Sequence, residues 1–149
     1  MTAKICSSVT AKVIQRLAAT GGPFSGRQVR SENVAAELAE RSDALQYPTI
    51  YVYCEKAVNS LAEKFRSFSG SVQMAIELRH TSEKLAGLQE ELEQAADAAT
   101  NVLSASRGDW GDGAYYAGAY QVAFGTIKRG GKNFAQTAKV TFEIGASIS

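Results

Sequence analysis

Along residues 3–20 the apolar positions fall four apart: Ile5, Val9, Val13 and Leu17, with Cys6 and Ile14 beside them. That spacing lines one face of an α-helix. Thr2 is placed to cap its start. Thr20-Gly21-Gly22-Pro23 ends it, because glycine accepts left-handed backbone and proline blocks continuation. Residues 23–33 (PFSGRQVRSEN) have little periodicity and read as a loop able to move, unless Phe24 and Val29 pin it. Val34, Leu38 and Leu45 suggest a short helix or turn before Tyr47-Pro48. At Thr49 the period changes to two. In TIYVYC (49–54) Ile50, Val52 and Cys54 share one face and Tyr51 and Tyr53 the other, which predicts a strand.

Residues 56–65 fit a short helix through Val58, Leu61, Ala62 and Phe65. SVQMAIELR (71–79) alternates cleanly, with Val72, Met74, Ile76 and Leu78 on a buried face and Gln73, Ala75, Glu77 and Arg79 on a wetter one. The main helix is expected over 82–105, capped by Thr81 or Ser82, with an apolar stripe of Leu85, Leu88, Leu92, Ala95, Ala99 and Val102. At 1.5 Å per residue it is about 36 Å long, ample to cross a sheet. Residues 106–117 (SRGDWGDGAYYA) read as a glycine-punctuated loop. A long hairpin follows over 118–144. Tyr120, Val122 and Phe124 share one parity, and Phe134, Ala138, Val140, Phe142 and Ile144 share another on the return strand, with Gln136 interrupting. Arg129-Gly130-Gly131-Lys132 supplies the turn. The whole pattern predicts an α+β fold: an antiparallel-rich sheet of about four strands, with a long helix and an N-terminal helix packed on one face.

The 149 residues, 45% of them apolar, suit a single domain spanning 1–149 with a cooperative core. The net charge of +1 lacks the basic excess of a dedicated nucleic-acid binder. The charge is unevenly spread: residues 83–97 hold five acids and one base, and residues 118–149 hold four bases and one acid. Such polarity suits contact between copies, and also occurs on solvated faces. Cys6, Cys54 and His80 do not make a four-ligand zinc site within one copy. The thiols read most simply as free, partly buried residues, with a single disulfide left open. There is no apolar run near 18 residues and no signal-peptide core, so a soluble, unexported chain is expected.

No candidate chemistry assembles into a catalytic or cofactor set. His80 lacks a nucleophile placed with it and reads as a surface or capping residue. Asp109, Trp110 and Asp112 lack the oxygen series of a calcium loop. The aspartates are expected to hold the loop, and Trp110 to seal the sheet edge or dock on a neighbouring copy; Tyr115 and Tyr116 share that choice. Lys128, Arg129 and Lys132 are not framed as a phosphate loop. They read as a solvated tip, a subunit contact or, as a lesser option, a contact with a DNA backbone. Arg27 and Arg30 are further candidate contacts. Glu90 and Glu91 lie on an acidic helix face that is solvated or pairs with a neighbour's bases. Residues 140–148 (VTFEIGASI) read as an edge strand guarded only by Glu143, which pairing with a second subunit would cover.

The segments YPTIYVYCEKAVN, KFRSFSG, SVQMAIELRHTSEKL, GDWGDGAYYAGAYQVAFG and GGKNFAQTAKVTFEI, with the long helix between them, resemble the tail terminator (tail completion) proteins of tailed bacteriophages over about residues 45–145. The resemblance implies a virion component and assembly factor without enzymatic turnover. It implies a homo-oligomeric ring, generally a hexamer, that caps the tail tube, stops its polymerisation and joins the head connector. The implied partners are a tail-tube protein and a head-connector protein, with non-specific DNA contact in the lumen, no cofactor and no membrane. Localisation would be the virion tail or neck, and the host cytoplasm during assembly. The loop around Trp110 and the tip Lys128–Lys132 match the family's contact elements. A head–tail connector or stopper, or a small nucleic-acid-binding module, are the rival readings.

Overall fold

A computed structural model describes residues 2–19, 29–30 and 49–149. In chain order the elements are α1 (Thr2–Ala19), β1 (Val29–Arg30), β2 (Thr49–Asn59), β3 (Phe68–Ser82), α2 (Leu88–Ala105), β4 (Gly108–Gly111), β5 (Ala114–Phe124), β6 (Lys128–Gly130) and β7 (Asn133–Ile148). The strands form one sheet in the order β1-β2-β3-β7-β5-β4, and β6 also pairs with β7. All pairings are antiparallel except β1 with β2. Among the described residues the fold is thus α+β, with α1 and α2 packed against a sheet of seven strands where about four were expected.

β3 and β7 are the spine, in unbroken register from Phe68↔Ile148 to Ser82↔Phe134. Their alternating residues make the core: Val72, Met74, Ile76 and Leu78 meet Ala138, Val140, Phe142 and Ile144 on one face. α1 lays Ile5, Val9, Val13 and Leu17 on that face, and α2 adds Leu92, Ala95, Ala96, Ala99, Val102 and Leu103. Burying these stripes stabilises by about 1.5–3 kcal/mol for each large side chain. Tyr51, Tyr53 and Ala75 form a small buried cluster on the opposite face, where Arg79 lies 4.3 Å from the Tyr51 ring centroid and pairs with Glu77.

The structure corrects several expected boundaries. α2 begins at Leu88, not near residue 82. The β3–β7 ladder runs to Ser82, so Thr81 and Ser82 are held in a strand and neither caps the helix. Ser82 Oγ accepts a bond from the Lys84 N–H instead. Gly87, left-handed at φ 86°, starts the helix without a side-chain cap, and Leu85 stays exposed. Residues 56–65 hold no helix: β2 continues to Asn59 through a bulge between Cys54 and Lys56. The extra residue moves the core-facing position from Cys54 to Ala57, a three-residue step that imitates helical spacing. The expected loop 106–117 contains β4 and the start of β5. Asp112 and Gly113, at φ 54° and 80°, make the two-residue turn between them. A Cβ at Gly113 would lie 2.1 Å from the Ser147 carbonyl oxygen.

The final strand is no edge. β7 lies between β3 and β5 and is paired on both sides, so residues 140–148 offer no open ladder. Of the expected turn Arg129-Gly130-Gly131-Lys132, Gly131 and Lys132 make the turn between β6 and β7, while Arg129 and Gly130 belong to β6. Of the segment 23–33, only Val29 and Arg30 are described, paired with Ile50 and Tyr51. The expected helix or turn at Val34, Leu38 and Leu45 lies outside the described residues.

Candidate interaction surfaces

Trp110 belongs to the core, 6% exposed, where a residue sealing the sheet edge or docking on a neighbouring copy was expected. β4 turns its indole inward beneath the ends of both helices. Its Nε1–H donates to the Ser106 carbonyl at 2.6 Å, the Arg16 guanidinium lies 4.6 Å from the ring centroid, and Tyr116 packs 5.7 Å away. Tyr116 is buried too, edge-on to Phe142 and donating its hydroxyl to the Ala119 carbonyl. Burial pushes the Tyr116 phenol above its ordinary value. Neither ring is left for a partner; the exposed tyrosine of the pair is Tyr115. Lys12 closes this corner, donating to the Trp110 carbonyl and pairing with Asp112 at 3.0 Å. Asp109 accepts from the Gly111 N–H, a loop-holding bond of the kind expected.

The other sequence candidates are dispersed. Lys128, Arg129 and Lys132 are exposed at the β6–β7 turn, with Arg129 5.6 Å from the Phe134 ring centroid. Glu90 and Glu91 are exposed on the first turn of α2. Glu91 is engaged within the chain, by His80 Nε2. His80 is therefore no surface residue: it is buried at the end of β3 and ties that strand to α2. Arg27 lies outside the described residues. Arg30 is described only by its backbone in β1. Among the described residues no three His, Cys, Asp or Glu side chains converge as a metal site, and no helix is long and apolar enough to cross a membrane.

Two surfaces escaped the sequence reading. The first is the β2–β3 loop. Phe65 is fully exposed and Leu61 is 63% exposed, both with left-handed backbone at φ 66° and 51°. A non-glycine residue in that region costs about 1–2 kcal/mol. The loop is nonetheless fastened from beneath. Asn59 Oδ1 accepts from the N–H groups of Leu61 and Ser69, and its Nδ2 donates to the Ser67 carbonyl. Ser69 Oγ accepts from the Glu63 N–H, the Ser67 N–H donates to the Ile148 carbonyl, and Ser147 Oγ donates to Glu63. A polar scaffold thus holds an apolar ring in water. Lys64 and Arg66 flank it, and Arg66 pairs with Glu63 at 3.3 Å.

The second surface is the outer half of β5. β4 pairs only with Ala114, Tyr115 and Tyr116. Beyond a bulge after Tyr116, Tyr120, Val122 and Phe124 share the parity of Phe142, Val140 and Ala138. Val122 is partly buried against the core, but Tyr120 and Phe124 are 41% and 42% exposed, and Ile127 next to them is 37% exposed. The expected apolar parity is real, but its two aromatic rings are left exposed.

Cys6 on α1 and Cys54 on β2 bring their Sγ atoms to 3.0 Å as thiols. Burial and then the Cys6 hydrogen bond push the Cys54 thiol up to about 12. On the opposite sheet face, Lys139 pairs with Glu55 at 3.0 Å, and that bond raises the lysine above its ordinary value. These groups bind elements together; they do not form a nucleophile with a base. No protein-family model matches the chain, and no curated protein matches it in sequence.

Proposed function

We propose that the chain is a structural assembly subunit: a tail terminator that forms a ring on a phage tail tube, stops its growth and presents the joining surface for the head connector. The observation that carries this reading is Phe65. A fully exposed aromatic ring on strained backbone, anchored by at least five side-chain hydrogen bonds below it, gains nothing within its own chain. Strain of this kind persists where a function uses it. Burying one such ring on a partner contributes about 1.5–3 kcal/mol, and the fixed loop avoids the cost of ordering it on contact. A ring repeats the anchor around its circumference, so weak single contacts add to a firm cap. The other ring face need not repeat the tube's surface, and addition ends there. The exposed bases Lys128, Arg129 and Lys132 supply charge for a neighbour or for DNA passing the lumen.

The test mixes purified chain with polymerising tail-tube protein and follows tube length by negative-stain imaging, with light scattering for the mass of the isolated chain. The wild type should give short, capped tubes. Phe65→Ser should give long uncapped tubes while keeping its thermal unfolding midpoint. Tubes of ordinary length with wild-type chain would overturn the terminator role. Strongly salt-dependent binding of the monomer to duplex DNA in place of capping would favour the nucleic-acid module.

A further inference from the structure

We propose that Cys6 and Cys54 are a redox lock: two thiols that join under mild oxidation and fasten α1 to the sheet where it already lies. The chain has two cysteines in all, and the fold sets their Sγ atoms 3.0 Å apart as free thiols, although they are 48 positions apart in sequence. A disulfide bond is about 2.05 Å long, so closure asks for about 1 Å of side-chain motion. Neither thiol is sealed in the core. Both are half-buried, where a small oxidant can reach them. On α1, Cys6 lies beside the buried stripe that begins at Ile5 and Val9. On β2, Cys54 is the last residue before the bulge at Cys54/Lys56. Bulges re-aim side chains, and this one falls where the helix and strand sulfurs meet.

The two sulfurs are not equivalent. Cys54 faces the Lys56 carbonyl at 3.7 Å as well as Cys6. Burial and then the Cys6 hydrogen bond make Cys54 hold its proton, so the first attack falls to Cys6. With glutathione disulfide as the oxidant, the Cys6 thiolate attacks one of its sulfurs. The glutathione S–S bond breaks, and one glutathione leaves and takes up a proton. Cys6 is then a mixed disulfide and no longer shares a proton with Cys54. Cys54 loses its proton to water, attacks the Cys6 Sγ and expels the second glutathione. Two electrons and two protons pass from the protein to the oxidant, which ends as two thiols. The bond fastens a helix that lies on the sheet by its side chains. Ile5, Val9, Val13 and Leu17 pack on the core, and Lys12 and Arg16 hold the Trp110 corner. Elements attached in this way open as units ahead of global unfolding. Reduced, α1 can lift while the β3–β7 spine holds; oxidised, lifting must break a covalent bond. The lock uses neither Phe65 nor the basic tip and does not require the terminator role.

The test holds the chain in glutathione buffers from fully reduced to fully oxidised, traps it with acid, and reads mass and amide hydrogen exchange on the same samples. The wild type should lose two hydrogens and keep no glutathione. Cys54→Ser should stop as a glutathione adduct on Cys6, and Cys6→Ser should react about tenfold more slowly or less. In the reduced chain the amides of α1 should exchange about tenfold faster, or more, than those at the centre of β3 and β7, and oxidation should remove that difference. Circular dichroism checks that both serine variants fold, and the wild-type measurements stand without them. A wild type that accumulates the glutathione adduct, or disulfide-linked pairs of chains, in place of the internal bond overturns the lock. An internal bond that leaves the exchange of α1 unchanged overturns it as well.

Discussion

Replacing Trp110 with alanine should destabilise the domain severely, although the residue sits in a glycine-rich turn region that resembles a surface loop. The indole is 6% exposed and joins four elements: β4 carries it, α2 ends on its Nε1–H, Arg16 of α1 covers its face, and Tyr116 of β5 packs against its side. Trp→Ala at such a site costs about 3–5 kcal/mol, from lost transfer energy and a cavity. The Ser106 carbonyl also loses its donor, a bond worth about 1 kcal/mol. Against a total stability of about 5–15 kcal/mol this is a large fraction. For a chain of this size each kcal/mol moves the midpoint by about 2–4 °C, so a fall of roughly 10–15 °C is expected. Trp110→Phe keeps most of the ring and should cost about 1–2 kcal/mol. Urea unfolding followed by far-UV circular dichroism measures both, because the variants lack the chain's single tryptophan as a fluorophore. Phe65→Ala is the control and should change stability by under about 0.5 kcal/mol. A cost below about 1 kcal/mol for Trp110→Ala would refute the packing argument and return the indole to the surface.

Other expectations are as direct. Oxidised glutathione should take two electrons and two protons from Cys6 and Cys54 and join them; the loop closed, with the cysteines 48 positions apart, predicts about 4 kcal/mol of added stability. Non-reducing mass spectrometry and Cys54→Ser, which should abolish the gain, check this. Stability should fall in alkali. Cys54 (ordinary value 9.0, about 12 when folded), Tyr53, Tyr116 and Lys139 are all raised, so each contributes stability present below its unfolded value and lost as pH climbs toward the folded one. The unfolded chain then binds fewer protons than the native one. Midpoints measured from pH 7 to 11 should decline from about pH 9, and Cys54→Ser should remove the earliest part of the decline. Gly113→Ala should lower the midpoint by more than an ordinary Gly→Ala change, since the Cβ meets the Ser147 carbonyl on a backbone with positive φ. A neutral result would show that the Asp112–Gly113 turn relaxes.

What could be read from the sequence was local. Ile5, Val9, Val13 and Leu17 mark α1 because one stripe packs on one sheet, and β3 alternates because its core face is continuous. The bulge at Cys54/Lys56 hid the second half of β2, since an added residue resets parity without changing composition. Asp112-Gly113 was a legible hairpin signal, masked by the glycines around it. Whether a strand is central or marginal is a property of pairing, not of its own residues: β7 and the outer half of β5 are both apolar and alternating, yet one is enclosed and the other open. Trp110 could not be assigned because Arg16 and Ser106 reach it only through the fold. Phe65 carried a helical-looking spacing, and its exposure follows from the scaffold under Asn59 and Ser69.

The central place of β7 also sets the order of events during synthesis. It is the last strand in the order described, and it is the strand that pairs with β3 on one side and β5 on the other. Until residues near Ile148 have emerged from the ribosome, the β2–β3 ribbon and the β4–β5 ribbon each expose a ladder and an apolar face. Such non-local closure is slow, and the waiting ribbons are the vulnerable species. Folding of this domain is therefore committed only once β7 is available, and conditions that favour holding the nascent chain should raise soluble yield more than those that stabilise the finished domain.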